Sequence, residues 1–155
     1  VDGWYGDSAI TMPIGDISKK DEELIACSKD ALYYAIDIIE DGMRFKELSK
    51  AIEDFITSRG YQPLVRFCGH GIGRKPHEDP EIPNYLEHGG TKSGPKIKNG
   101  MVFCIEPMIC QKDRNPVILK NGWDVVSADG LRGSHYEHTV AVVNGRAVIL
   151  SNREN

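Results

Sequence analysis

The period of the apolar positions changes partway along the chain. Leu24, Ala31, Leu32, Ala35 and Ile39 fall on one face at helical spacing, and Phe45, Leu48, Ile52, Phe55 and Ile56 do so again. The first stripe predicts a helix that starts at Ser18. There Ser18-Lys19-Lys20-Asp21 reads as a capping box with Asp in place of Glu, and Gly42 is expected as the C-terminal cap. The second stripe predicts a helix from Phe45 to Arg59, stopped by Gly60. Two amphipathic helices in succession need an apolar surface to cover.

The rest of the chain is expected to supply that surface as a sheet. Val1 to Ile14 reads as the end of a β-hairpin, with Asp2-Gly3 as its turn dipeptide. Leu64 to Phe67 is a short predicted strand, and Met101 to Ile109 is a strong one. Val117 to Leu119 and Trp123 to Ser127 are shorter, joined through Asn121-Gly122. Tyr136 to Val143 and Arg146 to Leu150 flank Asn144-Gly145, a type I′ hairpin signal. Glu78 to Lys98 is polar and punctuated by Pro and Gly, and is expected to be a long rim loop.

Composition narrows the classes. The chain has 155 residues and a net charge of −4, with acids and bases mixed. That fits one domain with a real core and lacks the basic face a DNA-binding protein needs. No apolar run approaches the ~18 residues of a membrane span. Cys27, Cys68, Cys104 and Cys110 form no C-x-x-C pair and read as buried free thiols in a reducing, cytoplasmic setting. The first residue is Val, inside an expected strand, so further sequence is expected upstream.

Chemistry concentrates in Cys68-Gly69-His70-Gly71-Ile72-Gly73-Arg74-Lys75-Pro76-His77-Glu78. The glycines would let a tight, irregular segment project His70 toward a ligand. Alone, the stretch reads more readily as a Gly-rich surface turn with two solvated histidines. Two glutamates change the balance. Glu106, in Val102-Phe103-Cys104-Ile105-Glu106-Pro107-Met108, shares a strand face with Val102 and Cys104. Glu137, in Tyr136-Glu137-His138-Thr139-Val140, shares one with Thr139 and Ala141. A carboxylate among apolar strand residues needs a partner. Arg66, Arg132 or Arg146 would serve for one glutamate. For two, beside a glycine-framed His and with Asp7 as a third carboxylate, a metal is the better partner. One imidazole with several carboxylates suits Mn²⁺, Fe²⁺ or Co²⁺, with Zn²⁺ admitted. More than two carboxylates suggest a pair of ions. His88 is expected to be solvated, and His138 to pack or hydrogen-bond on the far side of its strand.

Gly69-His70-Gly71-Ile72-Gly73 with His77-Glu78, then Phe103-Cys104-Ile105-Glu106-Pro107, then Tyr136-Glu137-His138-Thr139, resemble bacterial type I methionine aminopeptidases. Gly3-Trp4-Tyr5-Gly6-Asp7 resembles the segment around a family aspartate ligand, and the likeness runs over essentially the whole chain. The resemblance implies an α/β (α+β) "pita-bread" fold, with two helices packed on a curved, mainly antiparallel sheet. It implies a cytoplasmic hydrolase that uses two divalent metal ions to remove the initiator Met from nascent chains, with the ribosome as a further partner and neither DNA nor membrane. By the same likeness Asp7, His70, Glu106 and Glu137 are metal ligands, Asp7 and Glu137 bridging. His77 contacts substrate and stabilises the tetrahedral intermediate, Glu106 also moves a proton, and Trp123 lies near the substrate pocket.

Some positions depart from the family pattern. Pro76 stands where an aromatic is frequent, Tyr5 where His is, and His135 where Gln is. The family's other aspartate ligand falls ahead of Val1. Residues 1–155 are therefore expected to be the C-terminal part of one peptidase domain, impaired without a complementary N-terminal part. The alternatives are an Xaa-Pro peptidase of the same fold and a binding module whose catalysis has decayed.

Overall fold

A computed structural model describes residues 1–152. The two helices form as the apolar stripes dictate. Helix α1 spans Lys19–Ile38 and α2 spans Phe45–Ser58. Leu24, Ala31, Leu32, Ala35, Leu48, Ile52 and Ile56 are buried in one cluster, with Phe45 edge-on to Phe103 of the sheet. Ser18 caps α1: its hydroxyl accepts from the Asp21 amide and donates to the Asp21 carboxylate. Gly42 is not the cap. The helix ends at Ile38, four residues earlier, because the next segment is drawn to the sheet. There Asp41 N–H donates to Gly145 O and Gly42 N–H to Ile97 O.

Eleven strands make up three sheets among the described residues. The main sheet contains β1 (Ser8–Ala9), β3 (Cys68–Gly71), β4 (Glu78–Pro83), β5 (Val102–Ile105), β10 (Glu137–Val143) and β11 (Arg146–Ile149). Its order is β1-β10-β5-β3-β4, with β11 also paired to β10, and all pairings are antiparallel. A second sheet joins β2 (Gln62–Pro63), β6 (Met108–Cys110) and β9 (Gly133–His135); β7 (Pro116–Ile118) and β8 (Val125–Ser127) form a separate hairpin. Asn144 and Gly145 take the positive φ values, 52° and 81°, that the hairpin signal requires.

Several expected strands differ. Leu64 to Phe67 is a turn, with Arg66 at φ 72°, and it carries the chain from the second sheet into the main one. The start of the expected rim loop is β4, which pairs with β3. Its prolines and charges are tolerated because it is an edge strand. Val1 to Ile14 is not a continuous strand. Only Ser8–Ala9 pairs, and it pairs with β10. The segment before it lies along the His loop instead: Tyr5 N–H donates to Gly73 O, and the Arg74 guanidinium stacks 3.9 Å over Trp4.

The largest difference decides the site. Met101 to Ile109 is not one strand, and neither is the stretch through Tyr136. Pro107 lacks an N–H and interrupts the ladder between β5 and β6. Opposite it, Tyr136 separates β9 from β10. Ile105 lies opposite His138 and Met108 opposite His135, so no residue is inserted on either side. The strand pair passes from one sheet to the other in register. Glu106 and Glu137 stand at that seam.

Candidate metal centre

Each candidate side chain is delivered by a different part of the main sheet. His70 comes from β3, between β5 and β4. The glycines beside it serve close approach rather than a turn. A Cβ on Gly69 would collide with the Cys104 carbonyl oxygen, and one on Gly71 with that of Asp79. His70 projects from a strand squeezed between two others, and the expected irregularity is a register shift against β4 between His70 and Gly71. Gly69→Ala is expected to lower stability by about 1–3 kcal/mol, as overpacking against a fixed backbone does, and to weaken divalent-metal affinity with it. Denaturant midpoint and calorimetric titration check this, and an unchanged midpoint would show that the sheet accommodates the methyl.

His70 is buried. Its Nδ1 lies 3.0 Å from the Gly71 carbonyl oxygen, so Nδ1–H donates there and Nε2 is left as the acceptor. Nε2 faces Glu106 Oε1 at 3.3 Å. The Glu106 side chain is 12% exposed, and its backbone carbonyl accepts from buried Asn84. Burial, with Glu137 and Asp7 adding repulsion, pushes its carboxyl up to about 8. Glu137 is buried at the start of β10. Asp7 is fixed from β10 as well: its amide donates to Thr139 Oγ1 at 2.9 Å, and that hydroxyl donates to the Asp7 carbonyl at 2.8 Å.

Two sets of donor atoms lie within 4.8 Å of one another: one from Asp7, His70 and His77, the other from His70, Cys104 and Glu137. Three carboxylates thus gather around one buried imidazole. Glu106 answers by holding its proton to high pH, first through burial and then through the repulsion of Glu137 and Asp7, which a positive charge would offset. A divalent cation supplies that charge, and the oxygen-rich donor set fits one.

His77 is exposed, with its ring edge-on to His70 at 4.2 Å between centroids. It borders an open hollow of about 690 Å³ shared with His70, Lys75 and Glu81. Glu78 braces the loop by accepting from the Lys75 amide. On the other side of the seam a cleft of about 740 Å³ is lined largely by apolar residues, among them Phe67, Met108, Val126 and Leu131, with His135. Trp123 lines neither hollow; it is 86% exposed in the turn between β7 and β8. His138 packs edge-on to Tyr33 and lies within hydrogen-bonding distance of Tyr33 and Ser151. His88 is exposed.

Three contributors to the site were not among the expected site residues, although Cys104 and Thr139 stand inside the motifs. His135 Nε2 is buried, makes no hydrogen bond among the described residues, and lies 3.7 Å from Glu106 Oε2. Burial holds its imidazole below the ordinary 6.5, with Asp7 opposing. Cys104 is buried beside Thr139, its Sγ 3.4 Å from Oγ1, and burial pushes its thiol up to about 12. Thr139 is the post that ties Asp7 to β10. Strand alternation gives the face of each, but not which strand lies opposite.

No helix among the described residues is long and apolar enough to cross a membrane. The chain is 64% identical over 154 residues to the methionine aminopeptidase of Helicobacter pylori, covering 99% of this chain and 61% of that protein. It is 37% identical to methionine aminopeptidase 1 of Bacillus subtilis, over 97% of this chain and 60% of that one. It therefore spans about three-fifths of the length of these curated relatives. Among solved structures, a methionine aminopeptidase from Thermotoga maritima superposes with a TM-score of 0.92 at 36% identity, over 97% of this chain and 59% of that one. The prolidase of Pyrococcus furiosus superposes at 0.75 and 26% identity, over 99% and 39%. The description of metallopeptidase family M24 matches residues 1–144, and this chain belongs to that family.

Proposed function

We propose that the protein carrying this chain removes the N-terminal methionine from peptides, including chains leaving the ribosome, with two divalent ions held by Asp7, His70, Glu106 and Glu137. The observation that carries this reading is the gathering of three carboxylates on buried His70, with a second, exposed imidazole beside it. The likeness to the Helicobacter pylori protein supports methionine as the residue released. Cobalt, manganese and iron are the proposed ions.

When bound, such ions polarise the scissile carbonyl and make water a nucleophile at neutral pH. The chain's own residues do the rest. Asp7 and Glu137 approach from adjacent strands, which suits carboxylates shared between two ions. Glu106, nearly buried at the seam with Oε1 3.3 Å from His70 Nε2, is the carboxylate placed to take a proton from the attacking water and return it to the departing amine. His77, exposed on the hollow, is placed to donate an N–H to the oxyanion that develops on the carbonyl.

The test is peptide cleavage with Co²⁺, Mn²⁺ or Fe²⁺ added. The chain is assayed alone and with the unmatched portion of a relative's sequence supplied separately. Release of Met from a Met-Ala-Ser peptide, stopped by a chelator, is expected. Xaa-Pro cleavage without Met release would favour the second reading, which rests on the weaker likeness to prolidase. Metal binding with no cleavage of either would favour a binding module.

A further inference from the structure

We propose that His70, Cys104 and Glu137 form a thiophilic cation site nested inside the oxygen-rich centre, one that takes cadmium or zinc through sulfur and withdraws His70 and Glu137 from hard ions. The three residues are buried, and each offers one donor atom within 4.8 Å of the other two. That spacing lets one ion touch an imidazole nitrogen, a thiolate and a carboxylate together. The set is softer than Asp7, Glu106 and Glu137, because sulfur replaces oxygen as one donor. Softness and geometry, more than raw affinity, decide which ion a site keeps.

Cys104 alone among the four cysteines has this placement. Among the described residues, no such donor group includes Cys27, Cys68 or Cys110. Cys110 is turned to backbone instead, with its Sγ 3.1 Å from Asp113 O. The position of Cys104 follows from the sheet. On β5 it lies opposite Thr139 of β10, two residues beyond Glu137, and one strand over from His70 on β3. Shifting either strand by one residue would turn the sulfur to the opposite face of the sheet.

On binding, the Cys104 S–H bond breaks, a sulfur–metal bond forms and the proton passes to solvent. Neither oxidant nor reductant is involved. The inference shares residues with the proposed peptidase centre but does not depend on its activity.

The experiment is a Cd²⁺ titration of the chelated, dialysed protein, read by the sulfur-to-cadmium ultraviolet charge-transfer band. A band that saturates at one equivalent is expected. Cys104→Ala should remove the band and weaken Cd²⁺ by about 100-fold or more, beyond the scale on which indirect ligand partners act. Cys68→Ser should keep it. Cadmium-113 resonance of the unaltered protein reads sulfur coordination without any variant, so a Cys104 variant that fails to fold does not block the test. Cd²⁺ bound with an all-nitrogen-and-oxygen resonance, or a band that survives in folded Cys104→Ala, would overturn the proposal and leave the oxygen-rich centre standing. Failure to bind both Cd²⁺ and Mn²⁺ would overturn the two together.

Discussion

Replacing His77 with Ala is expected to lower kcat on the order of 100-fold or more while the bound metal stays in place, the scale of losing one oxyanion donor. The argument is one of exposure. His70 is buried between strands with its Nε2 facing Glu106. His77 is exposed, edge-on to His70, on an open hollow of about 690 Å³. The competing role is real, because a nitrogen of His77 lies within 4.8 Å of donors from Asp7 and His70. The fold supplies Asp7 as a carboxylate within reach of His77. Metal content and kcat measured on the same preparation separate the roles. Metal loss in proportion to activity would make His77 a ligand.

The metal-free protein is expected to lose stability as pH rises, and Glu106 is the cause. Its carboxyl sits at about 8 in the fold against an ordinary 4.5. Between those values the unfolded chain has released a proton that the fold retains. The folded state then binds more protons, so stability falls through the interval and levels off above it. The full interval is worth up to about 5 kcal/mol, and the part from pH 6.5 to 8 about 2 kcal/mol. His135 works in the opposite sense. Its imidazole is held below 6.5, so its contribution rises with pH until the unfolded imidazole has released its proton, and only a small remainder of that rise lies above 6.5. Glu106 therefore dominates the upper window. Denaturant unfolding of chelated protein at pH 6.5 and 8 reads the effect. Glu106→Gln should flatten the slope, and an added divalent ion should cancel it. Stability that held steady or rose from 6.5 to 8 without metal would mean that water or backbone already relieves the Glu106 charge.

Much of this was legible in the chain, because some features are local. The stripes of α1 and α2, the Ser18 cap and the Asn144-Gly145 turn each need only neighbouring residues. Glu106 and Glu137 stood out because a carboxylate inside an apolar run is conspicuous, His70 through its framing glycines, and the full set with Asp7 through the family resemblance. What escaped depends on partners far away in sequence. β4 reads as loop until its place at the sheet edge is known, where proline costs little. The break at Glu106-Pro107 does not disturb alternation, so period alone cannot show that the strand changes sheets. His135 and Cys104 gain meaning only from the register that sets Ile105 against His138. Trp123, for its part, stands in an exposed hairpin turn.

The post at Thr139 bears on how the molecule folds. It holds Asp7 from 132 positions away, and β10 lies between β1 and β5. A loop that long closes slowly, and closing it is rewarded only after the strands between have found their places. The helices can form early; the cluster of carboxylates cannot. Gathering like charges is unfavourable without a counterion, which delays that step further. The centre is thus expected to form late in folding, with φ-values near zero for Asp7 and Thr139 as the measurement that checks it. An ion that binds there acts on the other side of the barrier, slowing escape from the native state without speeding arrival.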